Sequence, residues 1–333
     1  MFFLVHPRIL YYTIGNPMKW RKTMHTELTA LKEQLNRILI GKSDKITLIL
    51  AALLARGHIL LEDVPGVGKT TLANGLARSI DAAYGRIQFT PDTLPSDVTG
   101  ISIYRSHTAS FEYLPGAIMN NILLADEINR TSAKTQAALL EAMEEHCVTV
   151  DGVTHQLPAP FMVIATENPI DYIGTYNLPE AQLDRFLMRI SLGYPETEDE
   201  IRLVQDFLSG NKYTDIRPVI DCAALIRLQQ EADQVHIHDD LVRYVVDLIQ
   251  STRDCELLSL GAGPRATLAV LATARAYAYL QERDYVTPDD IRKLLAPVLC
   301  HRFVLSTDAR MKKLTAEQIL KELVLKIPVP ILR

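Results

Sequence analysis

The chain has 333 residues, of which 48% are hydrophobic and 23% are charged, as in an ordinary globular protein. That length accommodates two domains, one of them with a substantial core. The net charge of −5 and the isoelectric point near 6.0 argue against a dedicated nucleic-acid-binding protein, because such proteins carry a basic excess.

The N-terminal segment is not predicted to be a signal peptide. Residues 1–20 are partly apolar but have neither a positively charged start nor a small-residue cleavage site, and we expect residues 1–25 to be a poorly ordered leader. The longest apolar run, residues 46–55, is too short to span a bilayer. Four widely spaced cysteines without metal-ligand spacing predict reduced thiols, which fits a cytosolic enzyme.

The first clear structural unit lies between residues 19 and 80. A helical pattern over 19–57 breaks at 40–43, where Ser43 is predicted to cap a second helix. Residues 59–61 are an apolar run typical of a strand buried on both faces. A proline and glycine loop follows, and residues 72–80 predict a helix.

This unit has the layout of a phosphate-binding loop. Glycines allow a tight turn and a close approach of the backbone to a ligand, and the N-terminus of the next helix offers unpaired N–H groups to an anion. Lys69 is predicted to reach the β- and γ-phosphates, and the Thr70 hydroxyl to hold a magnesium ion. Asp63 stands where the usual pattern has glycine, and its carboxylate would repel a triphosphate unless the side chain points away.

The next 110 residues alternate strands with helices and hairpins. Residues 86–90 predict a strand, and 90–116 predict an insertion that contains a hairpin. A helix capped by Thr131 or Ser132 is predicted to run to Glu145. The further predicted elements are a strand at 121–125, a hairpin at 148–154 with an Asp-Gly turn, a strand at 161–165 and a last strand at 187–192.

Two of these strands end in polar residues that suit phosphoryl transfer. Asp126 is placed to assist a magnesium ion, which prefers oxygen ligands, and Glu127 to polarise a water that attacks the γ-phosphate. Asn168 closes the third apolar strand and would point at the same water, although an Asn-Pro pair also favours a simple turn. An arginine at the γ-phosphate is also expected, and the residues alone leave four candidates: Arg130, Arg185, Arg189 and Arg265.

The composition changes after Tyr194, where an acidic segment lacks any apolar run. We place the domain boundary there, with a core over 26–194 and a second domain over 195–333. The second domain is predicted to be helical, with Thr287 capping its last predicted helix. The predicted helices are 198–208, 222–232, 239–251, 265–281 and 289–300.

The motifs together resemble the MoxR branch of the AAA+ ATPases. The phosphate loop, LLADEINR, KTQAALLEAMEE, VIATENP, GTYNLPEAQLDRFL and GPRAT occur in this order between residues 41 and 297. The resemblance implies an α/β fold: an αβα P-loop core with a parallel five-stranded sheet of order 5-1-4-3-2, followed by a smaller all-helical lid.

The resemblance also implies roles for individual residues. Asn168 would be the first sensor, Arg185 the finger that reaches into the neighbouring subunit, and Arg265 a second sensor on the lid that also contacts the nucleotide. Lys69 and Glu127 would serve catalysis, and Thr70 and Asp126 the metal. ATP would be bound by Gly41, Pro65, Gly66, Val67, Gly68, Lys69, Thr70 and Thr71.

The implied activity is magnesium-dependent ATP hydrolysis in a ring, usually a hexamer, that remodels or matures protein partners together with a von Willebrand factor A-type protein. A nucleic-acid motor is the alternative, but the hairpin around residues 147–156 has no lysine or arginine to contact phosphates. A third possibility, a nucleotide-binding switch without turnover, fits poorly with Glu127, Asn168 and Arg185.

Overall fold

The computed structural model describes residues 17–64, 66–168, 176, 178–209 and 216–330, with side chains from residue 26 onwards. The predicted leader therefore lies largely outside the described residues. Within them the strands are β1 (Ile59–Glu62), β2 (Tyr84–Gln88), β3 (Gly100–Arg105), β4 (Ser110–Pro115), β5 (Ile122–Asp126), β6 (Cys147–Val150), β7 (Val153–Gln156), β8 (Met162–Glu167), β9 (Met188–Ile190), β10 (Leu258–Leu260) and β11 (Val304–Leu305).

The helices fall into two groups, six before residue 194 and seven after it in the described part of the chain. They are α1 (Pro17–Ile38), α2 (Ser43–Leu54), α3 (Lys69–Ser79), α4 (Pro95–Thr99), α5 (Ala133–Glu145), α6 (Glu180–Leu183), α7 (Thr197–Leu208), α8 (Cys222–Ala232), α9 (Asp239–Arg253), α10 (Pro264–Leu280), α11 (Pro288–Leu299), α12 (Thr307–Met311) and α13 (Ala316–Lys326).

Five parallel strands form the central sheet in the order β2-β5-β8-β1-β9. Counted along the chain these are the second, third, fourth, first and fifth core strands, so the predicted order 5-1-4-3-2 is confirmed. Strands β1, β5 and β8 are buried along almost their whole length. Their near-continuous apolar sequences are typical of parallel strands covered on both faces.

Side chains that alternate along the strands divide the core in two. Ile59, Leu61 and Leu124 face a cluster formed with α1, α2 and α3. Leu60 and Leu123 face the other cluster, which contains α5. This alternation is the two-residue period of a strand, and it produces the predicted three-layer αβα core.

The helices after residue 220 pack onto the first of these clusters. Helix α10 packs against α2, and α11 packs against β9. Polar contacts reinforce the packing: the Gln229 side chain donates to the main-chain oxygen of Leu53 at 2.8 Å, and Arg56 pairs with Asp233 at 2.8 Å. The helical lid is therefore observed, whereas the division at residue 194 stays a prediction.

Local predictions agree with the structure in most places. Both hairpins form, as β3–β4 and β6–β7. Ser132 caps α5, and Thr287 caps α11. The cap assigned to Ser43 is wrong, because the main-chain oxygen of Lys42 already accepts the first helical hydrogen bond, from Ile46, and Ser43 is the first helical residue.

Several elements were not predicted. They are short or lie near the C-terminal end of the chain: helix α4, the antiparallel pair β10–β11, and helices α12 and α13.

None of the four cysteines forms a disulfide. Across the described ranges, no helix is both long and apolar enough to cross a membrane.

Candidate functional site

The glycine loop leads directly into α3. Gly66 has a φ of +88° and Gly68 a φ of +94°, a conformation that favours glycine, and Gly68 is the N-cap of the helix. The helix begins at Lys69, three residues before its predicted start, so its unpaired N–H groups belong to the Gly-Lys-Thr-Thr motif itself. Thr70 and Thr71 are exposed. Pro65 lies outside the described residues.

The side chain of Asp63 points away from this loop. Its carboxylate accepts hydrogen bonds from Ser191 Oγ at 2.8 Å, from the main-chain N–H of Leu192 at 2.6 Å and from that of Gly193 at 3.0 Å. The residue is only 5% exposed. Its main-chain oxygen accepts a hydrogen bond from Lys69 Nζ at 2.8 Å. Asp63 is thus a structural link between the phosphate loop and the segment that follows β9.

Asp126 lies at the carboxyl end of β5, held by two donors. Thr166 Oγ1 donates to its Oδ1 at 2.7 Å, and Arg86 donates to its Oδ2 at 2.8 Å. Thr166 Oγ1 also accepts the main-chain N–H of Glu127 at 2.8 Å. One buried hydroxyl therefore positions both acidic residues. Asp126 keeps further lone pairs, since each carboxylate oxygen can accept two hydrogen bonds.

Glu127 adopts a left-handed conformation with a φ of +56°, which few non-glycine residues adopt and which is often found at functional sites. Its carboxylate pairs with Arg130 at 3.1 Å. Arg130, one of the four arginine candidates, is therefore engaged with the predicted base.

Asn168 follows β8, the strand that lies between β1 and β5. It is buried, and its main-chain oxygen accepts a hydrogen bond from Asn129 at 3.5 Å.

Glu167, the last residue of β8, has a raised pKa. Burial and the carboxylate of Glu62 raise this pKa, while Arg189 opposes the rise. Arg189 pairs with Glu62 at 3.1 Å, so this third arginine candidate neutralises carboxylates beside the strand ends.

A groove lies beside Gly41, one of the residues expected to bind ATP. Helix α7 stands over this turn, and Lys42 Nζ donates to the main-chain oxygen of Tyr194 at 2.7 Å. The groove is lined by residues of α1, the Gly41 turn, the start of α2 and α7, and its volume of about 510 Å³ is typical of small-ligand sites. Gly41 has a φ of +75°, and a side chain there would collide with Asp199.

Arg185 and Arg265 lie at the opposite edge of the sheet. Both pair with Glu144 near the end of α5: Arg185 Nε reaches Glu144 Oε2 at 3.1 Å, and Arg265 Nη2 contacts Glu144 Oε1. The preceding residue, Met143, contacts His58, which comes directly before β1. The central strands β1, β5 and β8 have four to six residues and separate the two edges by roughly 15 Å.

The predicted residues therefore form two groups. The first group lies at the carboxyl edge and consists of Lys69, Thr70, Asp126, Glu127 and Asn168. Arg185 and Arg265 lie together at the amino edge, although the prediction had Arg265 contacting the nucleotide from the lid. Arg265 lies there because the lid is held by the packing of α10 against α2 and of α11 against β9.

Sequence reasoning missed three residues of the site. Thr166 is the one hydroxyl residue of β8 and lies between the apolar run and Glu167, and that position could have drawn attention to it. Arg86 lies on the neighbouring strand two residues before Gln88, which pairs in register with Asp126. Glu144 is one of several acids on α5, and nothing in the sequence distinguishes it from the others.

Comparison with known proteins agrees with this geometry. Residues 58–188 match the ATPase family associated with various cellular activities, and residues 250–323 match the AAA lid domain. The chain is 40% identical to Chaperone MoxR1 of Mycobacterium tuberculosis, over 92% of this chain and 83% of that protein. It is 32% identical to Protein MoxR of Paracoccus denitrificans, over 85% and 90% of the two chains.

The chain belongs to the MoxR family of AAA+ ATPases. It is also 50% identical to the YeaC protein of Bacillus subtilis, over 95% of this chain and 99% of that protein. A crystal structure of a candidate ATPase of Cytophaga hutchinsonii superimposes with a TM-score of 0.88 at 34% identity, over 94% of this chain and 98% of that one. The fold of that ATPase thus extends over nearly the whole chain.

Proposed function

We propose that this MoxR protein hydrolyses ATP at a site that two subunits complete. One observation carries the proposal: the phosphate loop, Asp126 and Glu127 share the carboxyl edge of the sheet, whereas Arg185 and Arg265 share the amino edge. An arginine at the γ-phosphate is worth about 10³–10⁵ in rate. Because both arginines lie a strand's length from their own phosphate loop, they serve the site of a neighbouring subunit.

The carboxyl edge has the groups that the reaction needs. The N-terminus of α3 and Lys69 bind the phosphates, and Glu127 orients and deprotonates the attacking water. Thr70 and Asp126 supply the hard oxygen ligands that suit magnesium. When bound, the metal ion neutralises charge on the β- and γ-phosphates. Asn168, at the end of the strand between the two motif strands, would hold the same water.

Head-to-tail contacts between the two edges generate a ring if the rotation closes, and we infer a hexamer from the family resemblance.

Protein partners are the proposed clients. In the β3–β4 hairpin, Tyr104 is 58% exposed and Phe111 is 73% exposed. The two aromatic side chains pack edge to face. The single arginine of this hairpin, Arg105, pairs with Glu112. An apolar, charge-neutral tip suits protein better than nucleic acid.

A von Willebrand factor A-type protein is the partner that we propose from the family resemblance. The Glu127→Gln variant should retain ATP and hold such a complex long enough for a pull-down. Recovery of nucleic acid instead of protein would contradict the proposed client class.

Two variants test the hydrolytic site. Lys69→Ala should lose ATP binding in calorimetry, because it removes the cation that the phosphates contact. Glu127→Gln should bind ATP with near-normal affinity but hydrolyse it at least about 100-fold more slowly, since general-base catalysis contributes about 10²–10⁴. Unchanged affinity in the first variant or full turnover in the second would refute these assignments.

A further inference from the structure

Glu144 lies where the core and the lid meet at the amino edge. It is a residue of α5 that neither binds the nucleotide nor belongs to the phosphate-loop edge. Its two carboxylate oxygens contact two arginines from different parts of the chain: Arg185 precedes β9 in the core, and Arg265 belongs to α10 in the lid. We propose that Glu144 is the positioning residue that presents both arginines to the neighbouring subunit. This inference rests on the proposed function.

The geometry of the pairing leaves the arginines able to act. Arg185 uses its inner nitrogen, Nε, for Glu144. A guanidinium has five N–H donors in a fixed fork, so the terminal nitrogens of Arg185 can donate to phosphate oxygens at the same time. The side chains of Arg185 and Arg265 are 29% and 46% exposed, which lets a second subunit reach them.

The end of α5 that carries Glu144 is firmly anchored. His58 Nδ1 accepts the main-chain N–H of Val163 at 2.9 Å, so its proton lies on Nε2, which donates to the Met143 oxygen at 3.1 Å. Burial lowers the pKa of His58 to about 4, and the ring is therefore neutral at physiological pH. His58 thus fixes the position of Glu144 relative to the amino ends of β1 and β8.

The segment that carries Arg185 is anchored from the lid. Arg302, with a side chain only 3% exposed, donates to Asp184 at 2.7 Å and to the main-chain oxygen of Phe186 at 2.8 Å. These two residues flank Arg185 in the chain. Asp184 also approaches Arg265 Nη1 at 3.8 Å. The main chain at Arg185 is therefore fixed on both sides, and Glu144 fixes the side chain.

The energetics favour an orienting role over a stabilising one. Ion pairs this exposed contribute about 0–1 kcal/mol to folding, so loss of the carboxylate should cost little stability. Without it, two guanidinium groups of like charge would lie side by side and separate. A misplacement of about 1 Å at a reacting group can cost about 100-fold in rate. The effect of Glu144 should therefore appear in kcat.

The first test is steady-state ATP hydrolysis by Glu144→Gln, which keeps the shape but removes the charge. We expect kcat to fall at least about tenfold, as for a misplaced catalytic group, with KM and melting temperature close to those of the wild type. Glu145→Gln is the matched control, because Glu145 is exposed and forms no ion pair among the described residues. An unchanged or higher kcat in Glu144→Gln overturns the proposal.

The second test asks on which side of the interface Glu144 acts. Glu144→Gln subunits mixed with Lys69→Ala subunits should regain activity, because an intact phosphate loop then meets an intact arginine face. Glu144→Gln mixed with Arg185→Ala should show no such gain over the separate variants, because both variants damage the arginine face. The reverse pattern would place Glu144 on the nucleotide side and overturn the proposal.

Two further measurements keep the outcomes separate. If Glu144→Gln does not fold, Glu144→Asp replaces it. The shorter side chain keeps the negative charge but moves the carboxylate away from the two arginines, and kcat should again fall with KM unchanged. Mixing Lys69→Ala with Arg185→Ala tests the proposed function by itself. Activity regained there but not in the mixture of Glu144→Gln with Lys69→Ala would refute only the role of Glu144.

Discussion

The carboxylate of Asp63 accepts the main-chain N–H of Leu192 at 2.6 Å and so joins the start of the phosphate loop to the segment after β9. The same carboxylate also accepts hydrogen bonds from Ser191 and Gly193. An acidic residue at the edge of a triphosphate site is tolerated here because all three donors lie on the side away from the loop.

Asp63→Asn should therefore destabilise the protein without improving ATP binding. The new amide group places a donor among three donors, and loss of hydrogen bonds to a buried charge costs about 2–3 kcal/mol. Urea denaturation measures the free energy of unfolding, and calorimetry measures the affinity for ATP. Asp92→Asn, at an exposed position, is the control. An affinity for ATP at least ten times higher in Asp63→Asn would show that the carboxylate faces the phosphates.

Thr166→Val tests the hydroxyl that holds Asp126 and Glu127. The substitution keeps the shape of the side chain but removes the donor to Asp126 and the acceptor for the Glu127 N–H. We expect kcat to fall about tenfold or more through misplacement of the two carboxylates, and the free energy of unfolding to fall by about 1–3 kcal/mol. Thr166→Ser should restore both quantities towards the wild type. Wild-type turnover by Thr166→Val would remove Thr166 from the site.

His301 should make stability depend on pH. Burial, with the positive charge of Arg302 as the second cause, lowers its pKa to about 3, whereas the unfolded chain binds a proton near its ordinary pKa of about 6.5. Stability is therefore complete above that pH and falls as the pH is lowered, by up to about 1.4 kcal/mol per pH unit. His58 contributes with the same sign.

His301→Gln should weaken this dependence while keeping a donor for the Phe186 oxygen. The free energy of unfolding, measured by urea denaturation between pH 7.5 and 5, should fall less steeply in the variant than in the wild type. Equal slopes for the two proteins would show that His301 is not held neutral in the folded state.

Much of the core could be predicted from the sequence because its strands are buried on both faces. The apolar runs before Asp126 and Asn168 identify two strands and also the edge at which their polar residues meet. The strand order, in contrast, came from the family resemblance. The direction of the Asp63 side chain depends on donors about 130 residues away, and local sequence contains no information about such partners.

The arginine cluster shows the same limit more sharply. Arg185 and Arg265 are each recognisable from short motifs, but their shared partner Glu144 follows only from the way the lid packs on the core. The contacts of α10 with α2 and of α11 with β9 decide this packing. The proposed role of a residue between subunits thus depends on tertiary structure even where its motif is clear.

The most direct test of the shared site is to mix Arg185→Ala with Lys69→Ala, each inactive by itself. If equal amounts mix at random, about one site in four combines an intact phosphate loop with an intact arginine face. Hydrolysis should therefore reappear in the mixture, in proportion to the complete sites. A mixture that assembles and remains as inactive as its two components would contradict an arginine supplied by the neighbouring subunit.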